Sequence, residues 1–282
     1  MLSQLRFTGS MCPVVLLLGV ALSVVGATSA LAQDIGEGQG LRLRSDLIQQ
    51  TTVQPGERLE NQVLIENTSD RARTVSIERR DLTYSFDGSR SFPSPGSVER
   101  SNSDWISLSS NLTTVPPGTT LAVGYEIQVP GRSPERRDSL RGSYWSTLIV
   151  EPTQTSRQSQ GRIQINASVR YSVQIITHIE ETGTKSVNLL STNVRAEGED
   201  RRLIADLKHT GTRSFQPDVY LELYDGGSLV GKYPAEPRLL HPSTSVRYKI
   251  PVDGIEAGSY AGVLVIDGGE EALYGAQLDL EL

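Results

Sequence analysis

GSYWSTLIVE (Gly142–Glu151) and GSYAGVLVID (Gly258–Asp267) are near copies of one decapeptide, far apart in a single chain. Side chains alternate across an extended strand. Tyr144, Leu148 and Val150 therefore share one face, as do Tyr260, Leu264 and Ile266. The match extends outward from these strands. ENTSD (Glu66–Asp70) has a counterpart in KHTGT (Lys208–Thr212), PPGTT (Pro116–Thr120) in HPSTS (His241–Ser245), and YEIQVP (Tyr125–Pro130) in YKIPVD (Tyr248–Asp253). The order is the same in both halves, so the chain reads as two copies of one unit. The first copy is longer, with extra residues around Asp87–Asn102 and Gly131–Arg141.

Each unit reads as antiparallel β. LENQVLIEN and RLIADLKHT alternate apolar and polar residues with the period of a half-buried strand. No long window has helical periodicity. Turn sequences recur every ten residues or so, as in FDGS, PSPG, PPGT, YDGG and IDGG. Many short strands at that spacing indicate two packed sheets. The tyrosine near the start of a strand, with glycine two residues earlier, matches the tyrosine corner of immunoglobulin-like sandwiches. Two positions on, where antibody domains place a cysteine, this chain has Ser146 and Gly262. The fold expected is all-β: two tandem immunoglobulin-like β-sandwich domains, both without disulfides. The boundaries read as residues 33–40 for a flexible N-terminus, 41–177 for the first domain, 178–185 for a linker and 186–282 for the second domain.

Residues 1–32 read as a cleaved signal peptide. Arg6 gives a positive start, VVLLLGVALSVV (Val14–Val25) an apolar stretch, and Ala30-Leu31-Ala32 a small-x-small cleavage site. The apolar stretch is shorter than the ~20 residues of a bilayer span. No later segment is apolar for long enough, so membrane insertion of the mature chain is not expected and the localisation read is periplasmic. Cys12, the only cysteine, lies before the apolar stretch, so stability rests on hydrophobic burial. Of 27 basic residues Arg6 lies in the signal, leaving 26 against 33 acidic ones, a mild acidic excess that argues against nucleic acid as partner.

GRIQINASVRYSVQII (Gly161–Ile176) is unusual. Ile163, Ile165, Ala167, Val169, Tyr171, Val173 and Ile175 alternate without a break against polar residues. As one strand it would extend roughly 45–50 Å, against the usual 5–6 residues. It follows EPTQTSRQSQG, which has no large apolar residue. Two readings stand. An overlong alternating edge after a polar loop suits pairing with another chain. Alternatively, the strand closes the first sandwich and runs on as the connector to the second.

In this arrangement the chain resembles the periplasmic pilus-assembly chaperones, which have a signal peptide, two immunoglobulin-like domains, a G-x-Y strand, a variable loop and a long alternating strand. The resemblance covers most of the mature chain in order of elements. It is strongest over Trp105–Ile176, including WISLSSNLTTVPPGTTLAVGYEIQVP and GSYWSTLIVEP. It implies that the long strand lends apolar side chains to an incomplete pilin subunit, with Ile163, Ile165, Ala167 and Val169 as donors. It further implies two basic residues holding the subunit's C-terminal carboxylate. By position, Arg170 would be one and Arg42 or Arg44 the other. The chain departs from the family in having arginine where lysine is usual on the long strand. It also lacks the basic-Pro sequence that normally follows.

The partners expected are thus secreted or pilus-type protein subunits, with a homodimer through residues 162–176 when no client is present. No cofactor and no metal are expected, since no D-x-D-x-D-G loop occurs. An enzyme is not expected either: G-x-S-x-G, H-E-x-x-H and a phosphate-cradling glycine loop are missing. His178, His209 and His241 each lie beside an expected turn or linker and read as exposed. Two further classes remain open: a structural scaffold using the same edge permanently, and an adhesion or carbohydrate-binding module of the cell envelope with Trp105 and Trp145 as a stacking platform. Against the platform, Trp145 falls on the strand face opposite Tyr144, and both tryptophans read rather as packing in the core or between the domains.

Overall fold

In a computed structural model the chain is described at residues 40–131, 140–153, 156–160, 163–167, 169–197, 200–269 and 272–282, with the backbone alone at 156–160, 163–167 and 197. The segment read as a signal peptide lies outside the described residues.

The first copy of the repeat folds as β1 (Leu41–Leu43), β2 (Ile48–Val53), β3 (Arg58–Asn67), β4 (Arg73–Arg80), β5 (Thr83–Tyr84), β6 (Arg90–Ser91), β7 (Ile106–Leu108), β8 (Leu112–Val115), β9 (Thr120–Gln128) and β10 (Gly142–Pro152). A hairpin of β11 (Ser156–Gln160) and β12 (Ile163–Ala167) follows, and then β13 (Tyr171–Ile179). One sheet has the order β1-β3-β9-β7 and its partner β2-β13-β10-β4-β8. The second copy comprises β14 (Val187–Glu197), β15 (Asp200–His209), β16 (Asp218–Asp225), β17 (Ser228–Pro234), β18 (Ser245–Pro251), β19 (Ser259–Asp267) and β20 (Leu273–Glu281). Its sheets run β14-β15-β18 and β17-β16-β19-β20. The protein is an all-β chain of two immunoglobulin-like sandwiches, and the described residues belong to one compact unit.

The paired decapeptides occupy equivalent strands, β10 and β19. Leu148 and Val150 are buried in the first core, Leu264 and Ile266 in the second. Each such side chain contributes roughly 1.5–3 kcal/mol relative to exposure. Tyr260 completes its corner, donating its hydroxyl to the carbonyl of Glu256 at 3.0 Å. Tyr144 packs on the first core, its ring 4.7 Å from that of Trp105. At Gly262 an added Cβ would stand 2.8 Å from Leu280 Cδ1 and 3.1 Å from Leu221 Cδ1, so larger side chains at the old cysteine position would collide with the packed core.

The alternating run at 161–176 is not one strand. It divides into β12 and β13, and Val169 and Arg170 belong to neither. In β10 and β13 the last pair is Val150↔Tyr171, whereas the hairpin above begins at Ser156↔Ala167. Five residues thus separate these pairs on one arm and three on the other, an offset that unbalanced arms of a ladder cannot bridge without a break. Pro152, at the end of β10, has no N–H to continue the ladder. Thr153 turns instead to β4, donating its N–H to Thr74 O at 2.9 Å.

Candidate functional site

The two halves of the run have different surroundings. From Gln174 onward β13 is flanked on both sides, by β10 and by β2, which pairs with it in parallel from Gln174↔Ile48 to Ile179↔Val53. Here it closes the first sandwich and leads to the second, which is the connector role. Above, β11 and β12 form a two-stranded ribbon, and among the described residues neither arm pairs with a third strand. Unpaired backbone N–H and C=O groups on such an edge are a template for another strand.

Ile163, Ile165 and Ala167 lie on β12, where only the backbone is described. Val169 is half-buried at the break between strands. Arg170 is exposed beside it, with Nε 2.6 Å from Glu151 Oε2. Arg42 sits on β1 opposite Glu66. Its strand reaches the hairpin base, where Tyr171 donates its hydroxyl to Leu41 O at 2.8 Å. Arg44 holds Glu66 at 2.9 Å. Arg44 and Arg170 therefore already hold carboxylates of their own chain.

A larger concentration of cations lies elsewhere, in a cleft of about 500 Å³ between the sandwiches. Arg90, Arg238, Arg247 and Lys249 line it, against the single carboxylate of Asp87. Tyr84 and Phe86 form part of its wall, and Gln174 and Ile48 bring the base of the β13–β2 pair into it. Arg247 is oriented by Asp206, which takes its Nε at 2.7 Å and its Nη2 at 2.8 Å. These contacts hold the Asp206 carboxyl below the usual carboxylate range. The four cations come from β6, the β17–β18 connection and β18, so no local motif announces them.

Beside this cleft the sandwiches are locked by a buried polar network in which all three histidines take part. This corrects the expectation that they are exposed. His178 is 8% exposed, and His209 and His241 are fully buried. Turn-like neighbours suggest solvent, but each of these turns faces the other sandwich. His178 Nδ1 meets Ser143 Oγ at 2.7 Å and its Nε2 meets Gln50 Oε1 at 3.2 Å. Ser143 Oγ also accepts the Ser214 N–H at 2.8 Å, across the junction. Ser214 Oγ in turn meets His241 Nδ1 at 2.8 Å, and His241 Nε2 meets Gln174 Oε1 at 3.0 Å. His209 accepts the Gly211 N–H at Nδ1 (2.9 Å) and donates from Nε2 to Arg213 O (2.7 Å). Burial, with Arg213 nearby, pushes His178 down to about 4. Burial, with the other two imidazoles, pushes His241 down to about 3. Burial also lowers His209. Although these are Ser–His pairs at hydrogen-bond length, both serine oxygens are buried behind the junction, out of reach of a substrate.

The rest of the junction is close-packed. Trp145 is 2% exposed, stacked on His241 at 4.8 Å, and donates Nε1–H to Leu82 O at 3.0 Å. It cannot serve as an exposed sugar platform, and Trp105 packs against the first core. Gly142 has φ +73°, and an added Cβ would stand 2.1 Å from Thr212 O. Arg213 ties down the connection, donating from Nη1 to Glu180 O (2.6 Å) and Thr182 O (3.0 Å). The stretch leading into the insertion of the first copy contributes as well: Tyr84 donates its hydroxyl to Leu239 O at 2.8 Å, and Phe86 its N–H to Ser245 Oγ at 3.1 Å.

No family model and no curated protein matches the sequence. Among solved structures the chain is similar to the class 5 fimbriae chaperone CfaA, at 10% identity and TM-score 0.43, over 86% of this chain and 100% of that one. It is similar to the CsuC–CsuE chaperone–tip adhesion subunit pre-assembly complex of Acinetobacter baumannii, at 14% identity and TM-score 0.41, over 85% of this chain and 97% of that one. It is also similar to the E. coli chaperone DraB, at 14% identity and TM-score 0.36, over 86% of this chain and 98% of that one.

Proposed function

We propose that the protein is a periplasmic chaperone-like protein that binds secreted or pilus-type subunits by pairing a client strand with the edge of its hairpin. The observation that carries this reading is the β11–β12 ribbon, which extends beyond the cover of β2 and has no third strand among the described residues. Strand addition would satisfy backbone groups left open there, while Ile163, Ile165, Ala167 and Val169 supply apolar side chains. Arg170, with Arg42 and Arg44, would take part in holding an acidic group of the client by exchange with Glu151 and Glu66. The basic interdomain cleft offers a second place for such a group. Export through residues 1–32 belongs to the same proposal, as does a homodimer formed through this edge when no client is present.

The test is capture of partners by the tagged mature protein in its own host, beside a variant carrying Ile165→Asp and Val169→Asp. Circular dichroism checks that the sandwiches of the variant remain folded. Capture of a small β-rich secreted protein by the wild type, lost in the folded variant, is the expected result. Identical partners in both samples, or none in either, would overturn the proposal.

A further inference from the structure

The three imidazoles occupy one junction, and their hydrogen bonds fix how each is protonated. At His209 the assignment is unambiguous, because a backbone N–H can only donate. Nδ1 accepts from Gly211, so the proton sits on Nε2 and points to Arg213 O. With the amide oxygens of Gln50 and Gln174 facing Nε2 of His178 and His241, these rings take the same form. Their Nδ1 atoms then accept from Ser143 and Ser214. All three rings are thus neutral, with the Nδ1 lone pair already engaged. A second proton must go to Nδ1. At His209 it would set N–H against N–H. At the other two it would reverse a serine hydroxyl inside the junction.

Little around the rings would welcome that charge. Arg213 faces His178, and its carbonyl holds His209. Arg100 is the other cation that bears on His209. The acid that bears on His178 is Glu181, which is paired with Arg213 and has its side chain 85% exposed. Around His241 stand Tyr84, Trp145, Gln174, Ser214 and the other two imidazoles, with no acid among them. Buried neutral histidines resist protonation in place, but they accept protons freely once exposed.

We propose that this cluster is an acid-sensitive latch: neutral histidines hold the second sandwich on the first, and proton uptake undocks the two. The contribution is fully present above the ordinary histidine value of about 6.5. It is lost as pH falls below that, because only the open state then binds protons. At pH 5 each released histidine favours the open state by roughly 30-fold. His178 and His241 together give an opening constant on the order of 10³ higher than at neutral pH. The inference does not depend on the proposed client.

The experiment uses the mature chain with Trp105→Phe, which leaves Trp145 as the sole tryptophan, titrated from pH 7.5 to 4.5. Expected are a red shift of Trp145 emission and a rise in radius of gyration by small-angle scattering, with the β signal in circular dichroism retained. In His241→Gln the pH dependence of opening should fall by about one proton. Should that variant fail to dock at neutral pH, imidazole titration of the wild type by NMR decides the matter. Three imidazoles taking up protons together with opening support the latch. Any one titrating near 6.5 in the closed protein overturns it. So do a constant junction signal down to pH 5, and loss of β structure in the same step.

Discussion

Replacing Asp81 with alanine tests how the insertion in the first copy is held. This carboxylate is fully buried and accepts from five donors: the N–H groups of Gly96 (3.3 Å) and Val98 (2.8 Å), and the hydroxyls of Ser97, Ser101 and Ser103. Most of these have a second option. Ser97 Oγ can donate instead to Ser94 O at 2.6 Å, one of Ser101 and Ser103 can donate instead to the other across 2.6 Å, and Gly96 N–H also reaches Ser103 Oγ at 2.9 Å. The Val98 N–H is the donor left stranded. Stranding this part-buried donor costs about 1–3 kcal/mol, and exchanging bonds to a charged acceptor for neutral ones adds about 1 kcal/mol. The expected loss is therefore about 2–4 kcal/mol in urea unfolding followed by circular dichroism. Asp81→Asn should lose less, because its amide oxygen still accepts from part of the set. The loop is tied to β10 through the Trp145 N–H to Arg100 O bond at 3.0 Å, so Trp145 emission should also shift in the alanine variant. An alanine variant within 1 kcal/mol of the wild type would refute the assignment of Asp81 as the organiser of this loop.

Three further outcomes are expected. Trp145→Ala removes a ring packed between Leu82, Ile176 and His241 and should cost about 3–5 kcal/mol in the same unfolding experiment. Tyr260→Phe deletes only the corner hydrogen bond to Glu256 O and should cost about 0.5–1.5 kcal/mol, with an unchanged denaturant slope. Gly142→Ala sets a side chain against Thr212 O at positive φ, and should separate the sandwiches, seen as a larger radius of gyration.

The repeat made the two sandwiches legible because alternation is a local property. Tyr144, Leu148 and Val150 face inward for the same reason as Tyr260, Leu264 and Ile266, and each set can be read without knowing what it packs against. The break between β12 and β13 was not legible, because the run at 161–176 is itself unbroken. Its register depends on the opposite arm, where Pro152 and the two extra residues lie. The histidines were misplaced for a related reason. Each sits in a turn-rich stretch that looks solvated until the other sandwich covers it, and neither half encodes that cover in its own periodicity. The cleft cations come together from Arg90 and from Arg238, Arg247 and Lys249, across a junction that no spacing rule anticipates. A signal for Trp145 did exist in its placement on the strand face opposite Tyr144, which made packing between the sandwiches one of the roles open to it.

The parallel strand β2 has one more effect. Leu47 O takes the Gln174 N–H at 2.8 Å, and from that point down the outer edge of β13 is occupied. Any strand laid along the hairpin from its tip must therefore stop there. Above that stop the open edge comprises β12 (Ile163–Ala167) and the top of β13 (Tyr171–Val173), two stretches separated by the break at Val169 and Arg170. β2 is thus an end-stop: it sets how far down the first sandwich a strand paired with this edge could reach.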